Sequence, residues 1–138
     1  MKITWHLDVE EPLDPENLLG DITLTSEQMS LGERDTYLDS WLDALITGLK
    51  AVQAGQRARI DIPEEPEPLV FEPVGKRVRI AYRTMTLEAE SIEELHSALR
   101  LAAQEFLHTL AAVEGGDSTP LLSSIRDFVC SAQEASFP

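Results

Sequence analysis

The sequence alternates strictly between apolar and polar residues over residues 2–10, where the apolar members are Ile3, Trp5, Leu7 and Val9. A period of two residues predicts a strand with one buried face, because successive side chains of a strand point to opposite faces. Similar alternation, or a short apolar run, recurs at 21–25, 57–62, 69–72, 76–82 and 85–89. One-sided strands are typical of antiparallel sheets, whereas buried parallel strands read as nearly continuous apolar runs.

The first predicted helix follows the second strand. Ser30 and Glu33 have the spacing of a capping box, so we expect the helix to begin after Ser30 and to stop at Gly55. Its apolar side carries Tyr37, Leu38, Trp41, Leu42, Leu45, Leu49 and Val52. Asp39 and Asp43 fall on the opposite side, which predicts that both carboxylates face solvent.

Two further helices are predicted near the end of the chain. Ser91 and Glu94 again have capping-box spacing, and the apolar stripe that follows them runs until the glycines at 115–116. Thr119 and Pro120 fit the N-cap and first position of a last helix, where the missing N–H of proline costs nothing.

The order of the predicted elements, β-β-α-β-β-β-α-α, favours an α+β fold. We expect a single layer of largely antiparallel sheet, about five strands wide, packed on one face by two or three helices. The 138 residues and the 43% hydrophobic content suit one domain, spanning 1–138, with its own core.

The charge balance constrains the partners. The chain has 11 Lys and Arg against 25 Asp and Glu, a net charge of −14. Nucleic acids and anionic membranes are bound by basic surfaces, so both classes of partner are disfavoured. A basic protein is the partner that such a surface favours, although high charge also serves solubility alone.

The compartment is predicted from the cysteine content and the N-terminal sequence. Cys130 is the single cysteine, so no intramolecular disulfide forms and a reducing, cytoplasmic setting is expected. The first residues lack the apolar segment of a secretory signal, and no uncharged apolar run reaches 18 residues.

Most of the basic residues are concentrated between residues 56 and 83. Five arginines are predicted on the uncovered sheet face, namely Arg57, Arg59, Arg77, Arg79 and Arg83. One interpretation is cross-strand ion pairing with carboxylates such as Asp8, Glu88 or Glu90. The other is a cationic strip that holds a small anionic group or an acidic segment.

No pattern in the sequence predicts catalysis or a bound cofactor. Glu93/His96 and Glu105/His108 have ligand spacing on one helix, but they are separated by about 18 Å along its axis and cannot share a metal. His6 has no nucleophile that can be placed beside it, and the chain contains no phosphate-binding glycine loop. We therefore predict no catalytic residues, no metal site and no cofactor.

The Glu/Pro stretch 63–68 is expected to be stiff, extended and anionic, because proline cannot donate to a sheet ladder. Its carboxylates and those of the first helix make up the predicted interaction surface, namely Glu64, Glu65, Glu67, Asp39 and Asp43.

Three functions stay open at this point. A small, acidic, cytoplasmic α+β chain is similar to bacterial toxin-immunity proteins in composition and class, a resemblance that assigns no residue a role. It implies a non-enzymatic module whose acidic surface docks a basic protein. The second function is that of a structural protein or a homodimer. The third is a small-anion binder, or an enzyme, that uses the arginine-rich sheet face.

Overall fold

The computed structural model describes residues 1–8, 18–27, 29–111 and 120–135. Seven strands are present there: β1 (Lys2–Leu7), β2 (Leu19–Ser26), β3 (Met29–Tyr37), β4 (Ala58–Ile60), β5 (Leu69–Val74), β6 (Arg77–Tyr82) and β7 (Met85–Ala89). The helices are α1 (Leu38–Gln53), α2 (Ile92–Ala111) and α3 (Pro120–Ala135).

The strands form two antiparallel sheets, in the orders β1-β2-β3 and β4-β5-β6-β7. This confirms the predicted α+β class and its antiparallel pairing, with two sheets in place of the single layer. β3 and β7 lie side by side but are not paired as ladder neighbours. We call the line along which they meet the seam.

The start of the first helix was predicted wrongly, because residues 29–37 form β3 and α1 begins only at Leu38. The Glu33 side chain bonds to Tyr82 and Arg83 across the seam instead of capping a helix. Gly32 lies so close to β2 that an added Cβ would stand 2.1 Å from the carbonyl oxygen of Ile22. Contacts distant in the sequence therefore override a local capping signal.

The helices cover one side of the sheets in two tiers. α1 and α2 pack against strands, and α3 packs on α1 and α2. Buried apolar residues from all three helices and both sheets form one core cluster, whose largest member is Trp41. Because α1 lies between the sheets and α3, its predicted solvent side is largely covered. Asp39 is only 8% exposed, which corrects the expectation that it faces solvent.

Other predicted boundaries hold with small changes. Ser91 caps α2 by accepting a hydrogen bond from the Glu94 N–H at 3.0 Å, as predicted. β5 continues through Pro73, where we had predicted its end. β4 pairs with β5 only up to Phe71, so proline occupies a position where no ladder bond is required on that side.

Several predicted features lie outside the described residues. They are the strand positions 9–10, the glycines at 115–116 and the N-cap at 119. Within the described residues, none of the helices is both long enough and apolar enough to cross a membrane.

Candidate functional site

A group of polar side chains lies at one end of the seam, and we call it the seam cluster. β3 supplies two of its members, the β4–β5 connection supplies one, and the end of β6 with the following turn supplies two. The members are Glu33, Thr36, Glu65, Tyr82 and Arg83. The cluster thus links the two sheets and the Glu/Pro connection.

The Tyr82 hydroxyl is the centre of this cluster. It donates to Glu33 Oε2 at 2.8 Å and lies 3.3 Å from Glu65 Oε2. Arg83 Nη2 lies 3.0 Å from the same Glu33 oxygen and 3.5 Å from that of Glu65. Thr36 Oγ1 donates to the other Glu65 oxygen at 3.0 Å. Arg83 therefore lies within ion-pair distance of both Glu33 and Glu65, and the Tyr82 hydroxyl contacts the same two carboxylates.

The pKa values of Glu33 and Tyr82 are both shifted away from neutral pH. Burial acts to raise the pKa of Glu33, but the hydrogen bonds from Tyr82 and the Arg34 N–H, with the charge of Arg83, bring it below its ordinary value. Burial is also the main reason that the pKa of Tyr82 rises to about 12. At neutral pH Glu33 is consequently ionised and the phenol is protonated.

These ionisation states limit what the cluster can do chemically. A general acid or base works best with a pKa near the operating pH, and neither Glu33 nor Tyr82 has one. The positive charge that two carboxylates would attract is already present as the Arg83 guanidinium. The arrangement suits a fixed structural junction rather than proton transfer.

The backbone around the cluster is strained. Asp35, Glu64 and Arg83 adopt φ values of +50°, +73° and +55°, in the left-handed region that side chains with a Cβ rarely adopt. Each belongs to the cluster or is bonded in sequence to a member of it. Such conformations persist only where surrounding contacts enforce them, and they are frequent at binding sites.

The strained segments carry exposed acids next to the cluster. Asp35 precedes Thr36 and Glu64 precedes Glu65, so these two acids are sequence neighbours of the residues that the Thr36–Glu65 hydrogen bond joins. With Asp61 and Glu67 on the same connection, they form a set of exposed carboxylates that we call the acidic rim. Within the described part of the chain, none of the four makes an ion pair.

The predicted interaction surface is therefore divided by the structure. Glu64 and Glu67 are exposed in the rim, whereas Glu65 is half-buried in the seam cluster. Asp43 accepts a hydrogen bond from the Ser124 hydroxyl at 3.0 Å, and Asp39 is buried. Burial raises the pKa of Asp39, an effect that the Ser40 N–H opposes and the charge of Asp43 reinforces.

The predicted arginine face is present on the four-stranded sheet, but part of its charge is neutralised. The register places Glu72 opposite Arg79 and Arg79 opposite Glu88, and Arg57, the residue before β4, pairs with Glu72. We call this row of alternating charge, Arg57, Glu72, Arg79 and Glu88, the charged ladder. Arg57–Glu72 and Arg79–Glu88 approach to 3.7 Å. Glu88 is one of the carboxylates that the ion-pairing interpretation named as a possible partner.

The other three arginines of that face differ from one another in their surroundings. Arg59 and Arg77 are exposed, and neither has an ion pair within the described part of the chain. Arg83 leaves the face, because its positive φ turns the side chain to the seam cluster and over the Tyr82 ring at 5.4 Å.

The histidines and the cysteine lie apart from the cluster. His96 is half-buried against the Phe128 ring, with ring centroids 5.5 Å apart. His6, His108 and Cys130 are exposed. The residues that the structure describes contain no group of three or more His, Cys, Asp or Glu arranged to hold a metal.

An open cleft of about 400 Å³ borders the cluster at Glu33. Strands β2 and β3 and the start of β7 line it, through Asp21, Ile22, Thr23, Ser30, Leu31, Gly32, Glu33, Arg34 and Met85. The Asp35 N–H donates to Asp21 Oδ1 at 3.1 Å, so a residue of the acidic rim is bonded to a residue that lines the cleft.

No protein-family model matches the chain, and neither a curated protein nor a solved structure does. The site is thus defined by its own geometry. The sequence did not predict Glu33, Asp35 and Thr36 as site residues, because all three fall within the helix that was expected to begin after Ser30. The left-handed backbone at Asp35 has no signal in the sequence, since aspartate is common in many turn types.

Proposed function

We propose that the chain is a non-enzymatic protein-binding module that docks a basic protein partner at the acidic rim. The most specific version of this proposal is an immunity or inhibitor protein that neutralises a basic protein. The observation that carries the proposal is the position of Asp35 and Glu64. Both are exposed and in left-handed conformations, and each directly precedes one of the two residues that the Thr36–Glu65 hydrogen bond joins.

Pre-organisation makes such a surface more than a collection of charges. A rim whose backbone is already ordered loses little conformational entropy when lysine or arginine side chains bind to it. Glu65 and Glu33 are occupied by Arg83 and Tyr82, which leaves the rim carboxylates available to a partner. Complementary charge then contributes to both association rate and specificity.

The chemistry of the seam cluster also supports a binding role. Its ionisable groups hold pKa values away from neutrality, which suits a scaffold that keeps one charge state throughout the physiological range. The net charge of −14 adds a long-range attraction that steers a basic partner toward the molecule.

The test is binding of a fluorescent arginine-rich peptide, followed by anisotropy at low and high salt. The rim variant D35N/E64Q/E67Q is compared with E90Q/E93Q/D127N, which removes three exposed carboxylates from the residues around the start of α2 and from α3. We expect the rim variant to weaken binding about tenfold and the control variant by less than about twofold.

Equal losses in the two variants would contradict the proposal, because binding would then depend on net charge alone. Binding that does not change with salt would contradict it as well, since exposed charges are screened by added salt. Circular dichroism of each variant establishes that the fold is intact before the affinities are compared.

A further inference from the structure

The outer edge of the three-stranded sheet is a second surface with a defined chemistry. β1 is the end strand of its sheet, so one side of its backbone has no neighbouring strand among the residues that the structure describes. The Asp8 N–H donates to the Leu19 carbonyl at 2.9 Å, which shows that Asp8 is a hydrogen-bonded position opposite β2. Since such positions alternate in an antiparallel pair, Ile3, Trp5 and Leu7 direct their N–H and C=O groups outward.

One flank of α2 lies beside this edge. The amino group of Met1 pairs with Glu94, and the Trp5 indole donates to the Ala102 carbonyl at 3.2 Å. Ala98, Leu101 and Glu105 follow Glu94 at helical spacing, so they lie on the same side of the helix, next to β1. Leu101 is 58% exposed, against 37% for Met29, the other exposed large apolar residue among those described.

We propose that this edge binds a second copy of the chain, through antiparallel pairing of β1 with the partner's β1. The twofold axis passes through Trp5, and the two three-stranded sheets become one sheet of six strands. The proposal goes beyond the binding of a basic protein and is independent of it, because the acidic rim lies on other elements.

The register follows from the hydrogen-bonding positions. Residues with outward backbone groups must meet one another, and an axis at Trp5 pairs Ile3 with the partner's Leu7 and Trp5 with the partner's Trp5. The same register places Lys2 directly opposite the partner's Asp8, twice by symmetry. Opposite charges at facing positions stabilise a strand pair, so the edge is complementary to itself.

The helix flank fits the same axis. Trp5 contacts Ala102 and packs edge-on against Phe106 at 5.4 Å, so the middle of α2 lies level with the axis. Leu101 then faces the partner's Leu101 across the axis. The most exposed large apolar side chain of the described chain would thereby be covered, which accounts for an otherwise unfavourable exposure.

Sedimentation of the full chain over a range of concentrations tests the proposal, with any tag placed at the C-terminus to keep the Met1 amine free. We expect a dimer in the wild type. L101K should weaken the dimer at least about tenfold, whereas M29K, a matched change on the β2–β3 hairpin, should leave the dimer constant within about twofold. A monomer at every concentration, or equal effects of the two variants, would overturn the proposal.

Charge exchange tests the register. K2E and D8K should each weaken the dimer about tenfold, and K2E/D8K should restore it, because the two residues are too far apart on one strand to interact within a chain. Failure of the double variant to restore the dimer would overturn this register.

Oxidation of cysteine variants in a C130S background locates the axis. A mixture of T4C and H6C should give a disulfide-linked heterodimer, since these positions face each other when the axis lies at Trp5. If T4C alone forms the linked dimer, the axis lies at Thr4 and the proposed register is wrong.

Discussion

The seam cluster and the charged ladder both pair arginine with glutamate, but they differ in burial and geometry. In the cluster, Arg83 lies 3.0 Å from Glu33, and the Glu33 and Glu65 side chains are 21% and 13% exposed. In the ladder, the pairs lie at 3.7 Å, and Arg57 is 70% exposed. Arginine–glutamate pairs therefore hold the backbone in the half-buried seam cluster, whereas in the charged ladder they are solvent-exposed contacts on the sheet surface.

Burial determines this difference. A half-buried carboxylate that loses its donor keeps its desolvation cost, so the pairing in the cluster is required for stability. A solvent-exposed pair exchanges protein contacts for water at little cost and is weakened by salt. The strained backbone at Asp35 and Glu64 occurs beside the cluster, where the contacts are strong enough to hold it.

The largest effect is expected from Y82F. The phenol donates to Glu33 and lies beside Glu65, so its removal leaves the Glu33 carboxylate without that donor and the Glu65 carboxylate without that polar neighbour. We expect a loss of about 1–2 kcal/mol in the free energy of unfolding, measured by urea denaturation. A change below about 0.5 kcal/mol would show that the cluster is no more stabilising than a surface pair.

A smaller effect is expected in the pH dependence of stability, where two carboxylates have opposite signs. The pKa of Glu33 is lowered from 4.5 on folding, so its contribution is present above that pH and is lost as the pH falls through the folded value. The pKa of Asp39 is raised from 3.8, so its contribution is present below that pH and is lost as the pH rises through the folded value.

Two amide variants separate these contributions. E33Q should flatten the acid side of the stability profile, and D39N should raise stability at neutral pH relative to the wild type. Denaturation midpoints measured between acid and neutral pH distinguish them. Profiles that shift in the same direction for both variants would contradict the assigned surroundings of one carboxylate.

The smallest effect is expected in the charged ladder. R79Q removes the ion pair with Glu88, and we expect a change in unfolding free energy below about 0.5 kcal/mol that disappears at high salt. A loss as large as that of Y82F would show that the ladder, and not only the cluster, fixes the backbone.

The accuracy of the sequence prediction follows the range of the interactions. The start of α2 was predicted because Ser91 and the Glu94 N–H are three residues apart and interact within one turn. The same spacing at Ser30 and Glu33 was misleading, since Glu33 is bound by Tyr82 and Arg83, 49 and 50 residues further along the chain. Periodicity reports which face is buried, but not which distant side chain meets it.

The predicted site shows the same limit. The exposed acids of the Glu/Pro connection were found from composition, because three prolines keep that stretch out of a central strand. The burial of Asp39 was missed because the pattern of α1 alone marks its side as polar, although α3 packs on α1 and its Ser124 bonds to Asp43 on that side. Packing between elements determines which acids remain exposed to a partner. The pattern of a single helix or strand does not contain that information.

If the seam cluster holds the acidic rim in a conformation that is ready to bind, loss of the Thr36–Glu65 bond in T36V should weaken binding. This variant keeps every charge but removes the Thr36 hydroxyl that bonds to Glu65. Asp35 and Glu64, which directly precede these two residues, have positive φ values. T109V, an exposed change on α2, is its control. Titration with the arginine-rich peptide should show about three- to tenfold weaker binding for T36V and wild-type binding for T109V. Unchanged affinity in a folded T36V protein would show that the seam cluster does not hold the acidic rim ready for binding.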